Sequence, residues 1–251
     1  MLIADATGAT LRWPHVFVLA ASVWLAYASD RWIEGWRLDR RSVRTPRHLF
    51  YQHQRWPVAL VCTLVLVADV AIAWSTLTQR ELLHGLLLAC AVLAYLISHQ
   101  WVHRHSRWRV PKEIVIAGLL SAGVALFVLE APRAALLTWT LPLFTMLCFT
   151  NCALISLWER GVDVSHGQTS LALRSDNMSA AIAWLPWIAV GASVAVALVG
   201  PFGARDAAFC GVISGLLLVH VARVAPRIGW PRARVLSDLT LMTPAIWLVL
   251  R

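Results

Sequence analysis

Long runs of Leu, Ala and Val, each nearly free of charge, recur from one end of this 251-residue chain to the other. No soluble domain of this size can hide so much apolar surface in one core, because the chain is 59% hydrophobic and only 14% charged. The runs therefore predict an all-α, polytopic bundle of membrane helices, organised as a single transmembrane helical domain over residues 1–251. Eight spans are expected, at Trp13–Ser29, Trp56–Trp74, Leu82–Ser98, Ile114–Leu129, Ala134–Leu157, Ala180–Val199, Ala207–Val221 and Val235–Leu250. The connections are short and the runs are Leu/Ala-rich, which argues against a barrel.

A formal charge of +9 suggests nucleic acid until the cations are placed. With eight spans, 17 of the 22 Lys and Arg fall on one side of the membrane. They sit in the segments 31–56, 99–113, 158–178 and 222–234. Arg12, Arg80, Arg133, Arg205 and Arg251 fall on the other side. The positive-inside rule then places the basic segments in the cytoplasm and both termini outside. Topology accounts for the charge, so no nucleic-acid partner is expected and membrane lipids are. Arg12 alone precedes the first span, which predicts no cleaved signal peptide. The five cysteines all lie in spans and read as small packing residues. Trp56 and Trp74 bracket the second span, as an interfacial belt requires.

Polar chemistry gathers at the cytoplasmic ends of two spans. Asp30 and Glu34 are four residues apart after the first, and Glu159 and Asp163 are four apart after the fifth. On a helix each pair shares a face, where two carboxylates repel and gain from a common cation. Two such pairs on one membrane side suit Mg²⁺, which is held by a few carboxylates together with phosphate oxygens. Arg40, Arg41 and Arg44, with Arg109 and Lys112, are placed to grip a polyanion. Charges at helix ends also mark the water boundary with no further role, and that alternative stands beside the site. Asn151 lies two turns before Glu159 and either lines the same cavity or bonds to a neighbouring helix. Asp69 within the second span and Asp238 at the start of the eighth are further intramembrane acids. His99, His103 and His105 form one basic cluster, too few histidines for a di-iron oxygenase.

The stretch "ERGVDVSHGQTSLA" from Glu159 resembles the second conserved motif of the UbiA superfamily of intramembrane prenyltransferases. Glu159, Asp163, Gly167, Ser170 and Ala172 fall in the matching places. The segment Asp30–His48, with its "DRRSVRTPRH" tail, is similar to the first motif and the Arg-rich loop after it. Ser29 stands where that family has Asn. Ile33 and Arg37 occupy the next two Asp positions, leaving Glu34 and Asp39 as nearby acids. Eight spans are one fewer than the family's nine. The resemblance implies a UbiA-like bundle that transfers a polyprenyl group from a polyprenyl diphosphate to an aromatic or lipid-like acceptor. The reaction is Mg²⁺-dependent and runs at the cytoplasmic face, in a bacterial inner membrane. Asp30, Glu34, Glu159 and Asp163 then carry metal and catalysis. Arg40, Arg41, Arg44, Arg109, Lys112, Asn151 and Ser170 then contact substrate. The alternative expectation is a non-catalytic lipid-binding or transport protein that keeps such a bundle without turnover.

Overall fold

The computed structural model describes residues 1–37, 46–98, 111–165 and 170–250. Among them the chain is helical with no strand. Six helical stretches are long and apolar enough to cross a membrane: Trp13–Trp36, Arg55–Thr76, Gln79–Ile97, Ala134–Trp158, Asn177–Val199 and Phe202–Ile228. They carry six of the eight expected spans. The chain divides into two compact units, one comprising Leu11–Arg109 with Val162–Gln168, the other Met1–Thr10, Val110–Gly161 and Thr169–Arg251.

In the first unit, helix α2 (Trp13–Arg37) packs along α4 (Arg55–Thr76), with the short α3 (Pro46–His53) against α2. The approach of α3 is close. A Cβ on Gly35 would stand 3.1 Å from Tyr51 Cβ, so a larger residue there would press α3 outward by a few tenths of an ångström. Polar ties lie at several depths. Arg12 donates to the Thr76 carbonyl at 3.1 Å and His15 Nε2 lies 3.4 Å from Glu81 Oε1. Deeper in, Ser22 Oγ donates to Asp69 Oδ2 at 2.8 Å. Helix α5 (Gln79–Ile97) starts on a capping box in which Thr78 and Glu81 satisfy each other's backbone N–H. Leu60, Leu64, Val67, Leu83, Leu86 and Leu87 are exposed on α4 and α5. Such a face is stable only against hydrocarbon.

In the second unit, α7 (Leu137–Trp158) is the central helix, packed by α6 (Lys112–Leu126), α9 (Asp176–Val199), α10 (Arg205–Ile228) and the short α1 (Leu2–Thr7). The α6–α7 contact contains an interhelical hydrogen bond, Thr145 Oγ1 to Ser121 Oγ at 2.7 Å. The α9–α10 contact is set by small residues. A Cβ on Gly211 would lie 2.5 Å from Ser193 Oγ, and one on Gly215 would lie 2.7 Å from Val190 Cγ2. This is the Gly-x-x-x-Gly spacing that lets membrane helices touch backbone to backbone. Leu147, Leu154, Ile182, Ala189 and Leu218 fill the core around it.

The fourth and eighth expected spans differ from the other six. Helix α6 has 15 residues, short of the ~20 that a perpendicular crossing needs. The run Val235–Leu250 is broken into α11 (Trp230–Thr240) and α12 (Thr243–Leu250). Pro244 explains the break, since it has no N–H to offer the Thr240 carbonyl four residues earlier and its ring crowds that oxygen. The freed carbonyl accepts from Ser214 Oγ on α10 at 2.9 Å instead.

Candidate functional site

Helix α2 continues two turns beyond the expected span, so Asp30 and Glu34 do share one helix face. The cation between them is a side chain of the same helix. Arg31 Nη1 donates to Glu34 Oε2 and Arg31 Nη2 lies 3.5 Å from Asp30 Oδ2. The guanidinium also stands 5.5 Å from the centre of the Tyr27 ring. Glu34 is only 4% exposed, which a carboxylate tolerates when it is paired.

The second pair begins where α7 stops. Glu159 caps its C-terminus and α8 (Arg160–Ser165) follows at once. Glu159 Oε1 accepts from Arg234 Nη1 of α11 at 2.8 Å. One residue earlier, Trp158 stacks on Trp230 with centroids 6.4 Å apart and planes 10° from parallel. The ion pair and the stack together fasten the start of α11 to the end of α7. Asp163 on α8 is 3% exposed. Ser170 and Ala172 are buried too, in and beside a short 3₁₀ turn at Leu171–Leu173.

Asp30, Glu34 and Asp163 belong to the first unit, whereas Glu159, Asn151, Lys112 and Ser170 belong to the second. Among the described residues, no three or more His, Cys, Asp or Glu side chains gather closely enough to hold a metal by themselves. Two carboxylates on one helix face nonetheless fit the way Mg²⁺ binds a phosphorylated ligand, through one or two carboxylates, substrate oxygens and water. Asn151 takes the interhelical option, with Nδ2 donating to Asp238 Oδ1 of α11 at 2.8 Å. Asp69 likewise has a helix partner, Ser22. Lys112 opens α6 and is half-buried. Arg40, Arg41, Arg44, Arg109, the cluster His99–His105 and Gly167 lie outside the described residues.

Three residues that the motifs do not flag turn out to matter. Arg31 sits beside the first acidic pair and was readable from its i+3 spacing to Glu34. Arg234 is 75 positions from Glu159, and no local pattern joins them. Glu113, buried in the first turn of α6, looks in the sequence like an ordinary acid at a helix start. No family model, no curated protein and no solved structure matches this chain.

Proposed function

We propose that this chain is a UbiA-like prenyltransferase, moving a polyprenyl group from a polyprenyl diphosphate to an aromatic or lipid-like acceptor with Mg²⁺. Its working face is the cytoplasmic side of a bacterial inner membrane. Eight crossings with both termini outside belong to the same proposal, supported by the one-sided distribution of Arg and Lys. One observation carries the reading. Glu34 and Asp163, one from each acidic pair, are 4% and 3% exposed and fall in the same compact unit. Acids that only mark the water boundary stay in water.

Asp30, Glu34 and Asp163, which share one compact unit, are the residues that would hold Mg²⁺. When bound, the metal neutralises the diphosphate leaving group. The chain's own part is done by charge exchange. Arg31 pairs with Asp30 and Glu34 in the free protein, and a guanidinium binds phosphate oxygens in the same forked manner. An arriving diphosphate therefore competes for Arg31 and frees the acids beside it. The C1–O bond of the donor then breaks, with its electron pair leaving on the diphosphate. An electron pair of the acceptor forms the new bond to C1, and the acceptor's displaced proton passes to the diphosphate or to water. Apolar helices around the prenyl chain keep water from C1.

The test is thermal unfolding in detergent with farnesyl thiodiphosphate, with and without Mg²⁺. Protection is expected in the wild type only when both are present, and is expected to vanish in an Asp30→Ala/Asp163→Ala double variant. Equal protection of the two proteins would contradict the proposal. A second reading, a lipid-binding protein without turnover, is favoured by the arginine partners of Asp30, Glu34 and Glu159. Under that reading the analogue binds but no pyrophosphate is released from farnesyl diphosphate with any acceptor.

A further inference from the structure

Three tryptophans and one arginine meet where α2 ends and α4 begins, all within the first unit. Trp32 Nε1 donates to the Arg55 backbone carbonyl at 2.8 Å, which ties the two helix ends together. Trp32 and Trp36, one turn apart on α2, have ring centroids 5.4 Å apart. Trp36 in turn meets Trp56 of α4 at 6.0 Å with planes 89° apart, so the two indoles form a corner. The Arg55 guanidinium stands in that corner, 4.8 Å from the Trp36 ring centre and 5.9 Å from that of Trp56. Both distances lie within reach of cation–π attraction.

Contact with a ring uses the flat face of a guanidinium and leaves its N–H edge free. Arg31 and Arg234 give their N–H groups to carboxylates. The Arg55 side chain has no hydrogen-bond or ion-pair partner among the described residues. The corner therefore fixes a cation with its donors unspent, and the group it suits is an anionic oxygen. Trp36 and Trp56 are 47% and 66% exposed, which is costly for indoles in water and ordinary at a bilayer interface. They stand at adjoining ends of the apolar stretches Trp13–Trp36 and Arg55–Thr76.

The surface of α4 below the corner says what carries that oxygen. Trp56, Leu60, Leu64 and Val67 are all exposed and recur at helical spacing, so they form one strip. From Trp56 to Val67 the helix rises ~16 Å, close to half of a ~30 Å hydrocarbon core. The strip is thus one leaflet long and matches an acyl chain hanging from a headgroup at Arg55. Charge selects an acidic headgroup over a zwitterionic one. Segment 31–56 carries seven Arg against two acids, which repels choline or ethanolamine.

We propose that Arg55, Trp36 and Trp56 form a binding site for an acidic phospholipid. The phosphate sits on the Arg55 N–H edge, and an acyl chain lies along Leu60, Leu64 and Val67. The site uses none of the acids of the functional reading above and needs only that these helices cross a bilayer.

The experiment uses the full chain in phosphatidylcholine nanodiscs that contain a minor share of a lipid with a diazirine in mid-acyl chain. One set carries this probe on phosphatidylglycerol, the other on phosphatidylcholine. After illumination, labelled peptides are mapped and quantified by mass spectrometry. Labelling within Leu60–Val67 is expected to be at least about fivefold stronger with the phosphatidylglycerol probe, the scale of one cation beside an acidic headgroup. Arg55→Gln should reduce it to the phosphatidylcholine level. Trp36→Leu keeps apolar bulk but removes one wall of the corner, and should lower it by about half or more. Neither change should alter labelling by the phosphatidylcholine probe.

Equal labelling by the two probes in wild type overturns the proposal, as does undiminished phosphatidylglycerol labelling in Arg55→Gln or Trp36→Leu. Loss of that labelling on adding millimolar inorganic phosphate overturns it too, because the corner then takes a free anion and not a lipid. Should Arg55→Gln not fold, the wild-type probe ratio and Trp36→Leu decide by the same criteria.

Discussion

The Ser214 hydroxyl on α10 donates to the backbone carbonyl of Thr240 at 2.9 Å, replacing the helical bond that Pro244 cannot make. A side chain from one helix thus completes the broken backbone of another, as apolar surroundings demand. Ser214→Ala is expected to destabilise the protein by ~0.6–2 kcal/mol, the range for interhelical hydrogen bonds in membranes. Pro244→Ala supplies the missing N–H, so the same Ser214→Ala change should cost measurably less in that background. A double-mutant cycle of thermal stabilities in detergent reads the difference directly.

Two glycines predict substitutions of different outcome, one at the α9–α10 contact and one in α6. Gly211→Ala sets a methyl 2.5 Å from Ser193 Oγ and should cost ~1–3 kcal/mol by overpacking. Gly118, in the interior of α6, has open space where a Cβ would go. Gly118→Ala should be neutral or stabilising by up to ~1 kcal/mol, because the helix no longer carries glycine's extra chain entropy. Thermal midpoints of the two variants check both signs.

Arg31 is the compensating charge of Asp30 and Glu34 in the free protein. Arg31→Gln removes a charged partner from a buried carboxylate and should lower stability by ~2–4 kcal/mol. The lost stability should be partly restored by millimolar Mg²⁺ alone, which gives wild type little. A midpoint indifferent to Mg²⁺ in Arg31→Gln would show that these acids do not take a metal.

Glu159 and Arg234 form the corresponding pair in the second unit, beside the Trp158–Trp230 stack. The pair is partly exposed, so Arg234→Ala is expected to cost only ~0.5–1.5 kcal/mol. Trp158→Ala removes a large aromatic contact and should cost ~3 kcal/mol or more. Hydrogen exchange should show both losses first in α11, whose hold on α7 includes these two contacts.

Six of the helices could be read from apolar runs alone, because a membrane span needs little more than length and hydrophobicity. Of the other two runs, one holds a helix of only 15 residues and the other is broken into two short helices. Apolarity does not register the carbonyl that Pro244 orphans, although the proline itself stands in plain view at residue 244. At the site, the i,i+4 spacing correctly put Asp30 and Glu34 on one face of α2. It could not show Arg234 reaching Glu159 or Glu113 reaching Leu171, contacts made across 75 and 58 residues of chain. Periodicity describes one helix at a time, and these bonds join two.

The central claim, that the acids of both motifs take a divalent cation together with a prenyl diphosphate, is tested most directly by Mn²⁺ titration in detergent. Free Mn²⁺ is followed by electron paramagnetic resonance, with farnesyl thiodiphosphate present or absent. Tight binding is predicted only with the analogue present, weakened at least about tenfold by Asp30→Asn and by Asp163→Asn separately, since each removes a charged ligand. Wild type that binds no Mn²⁺ beside the analogue, or variants that titrate as wild type does, would contradict the account.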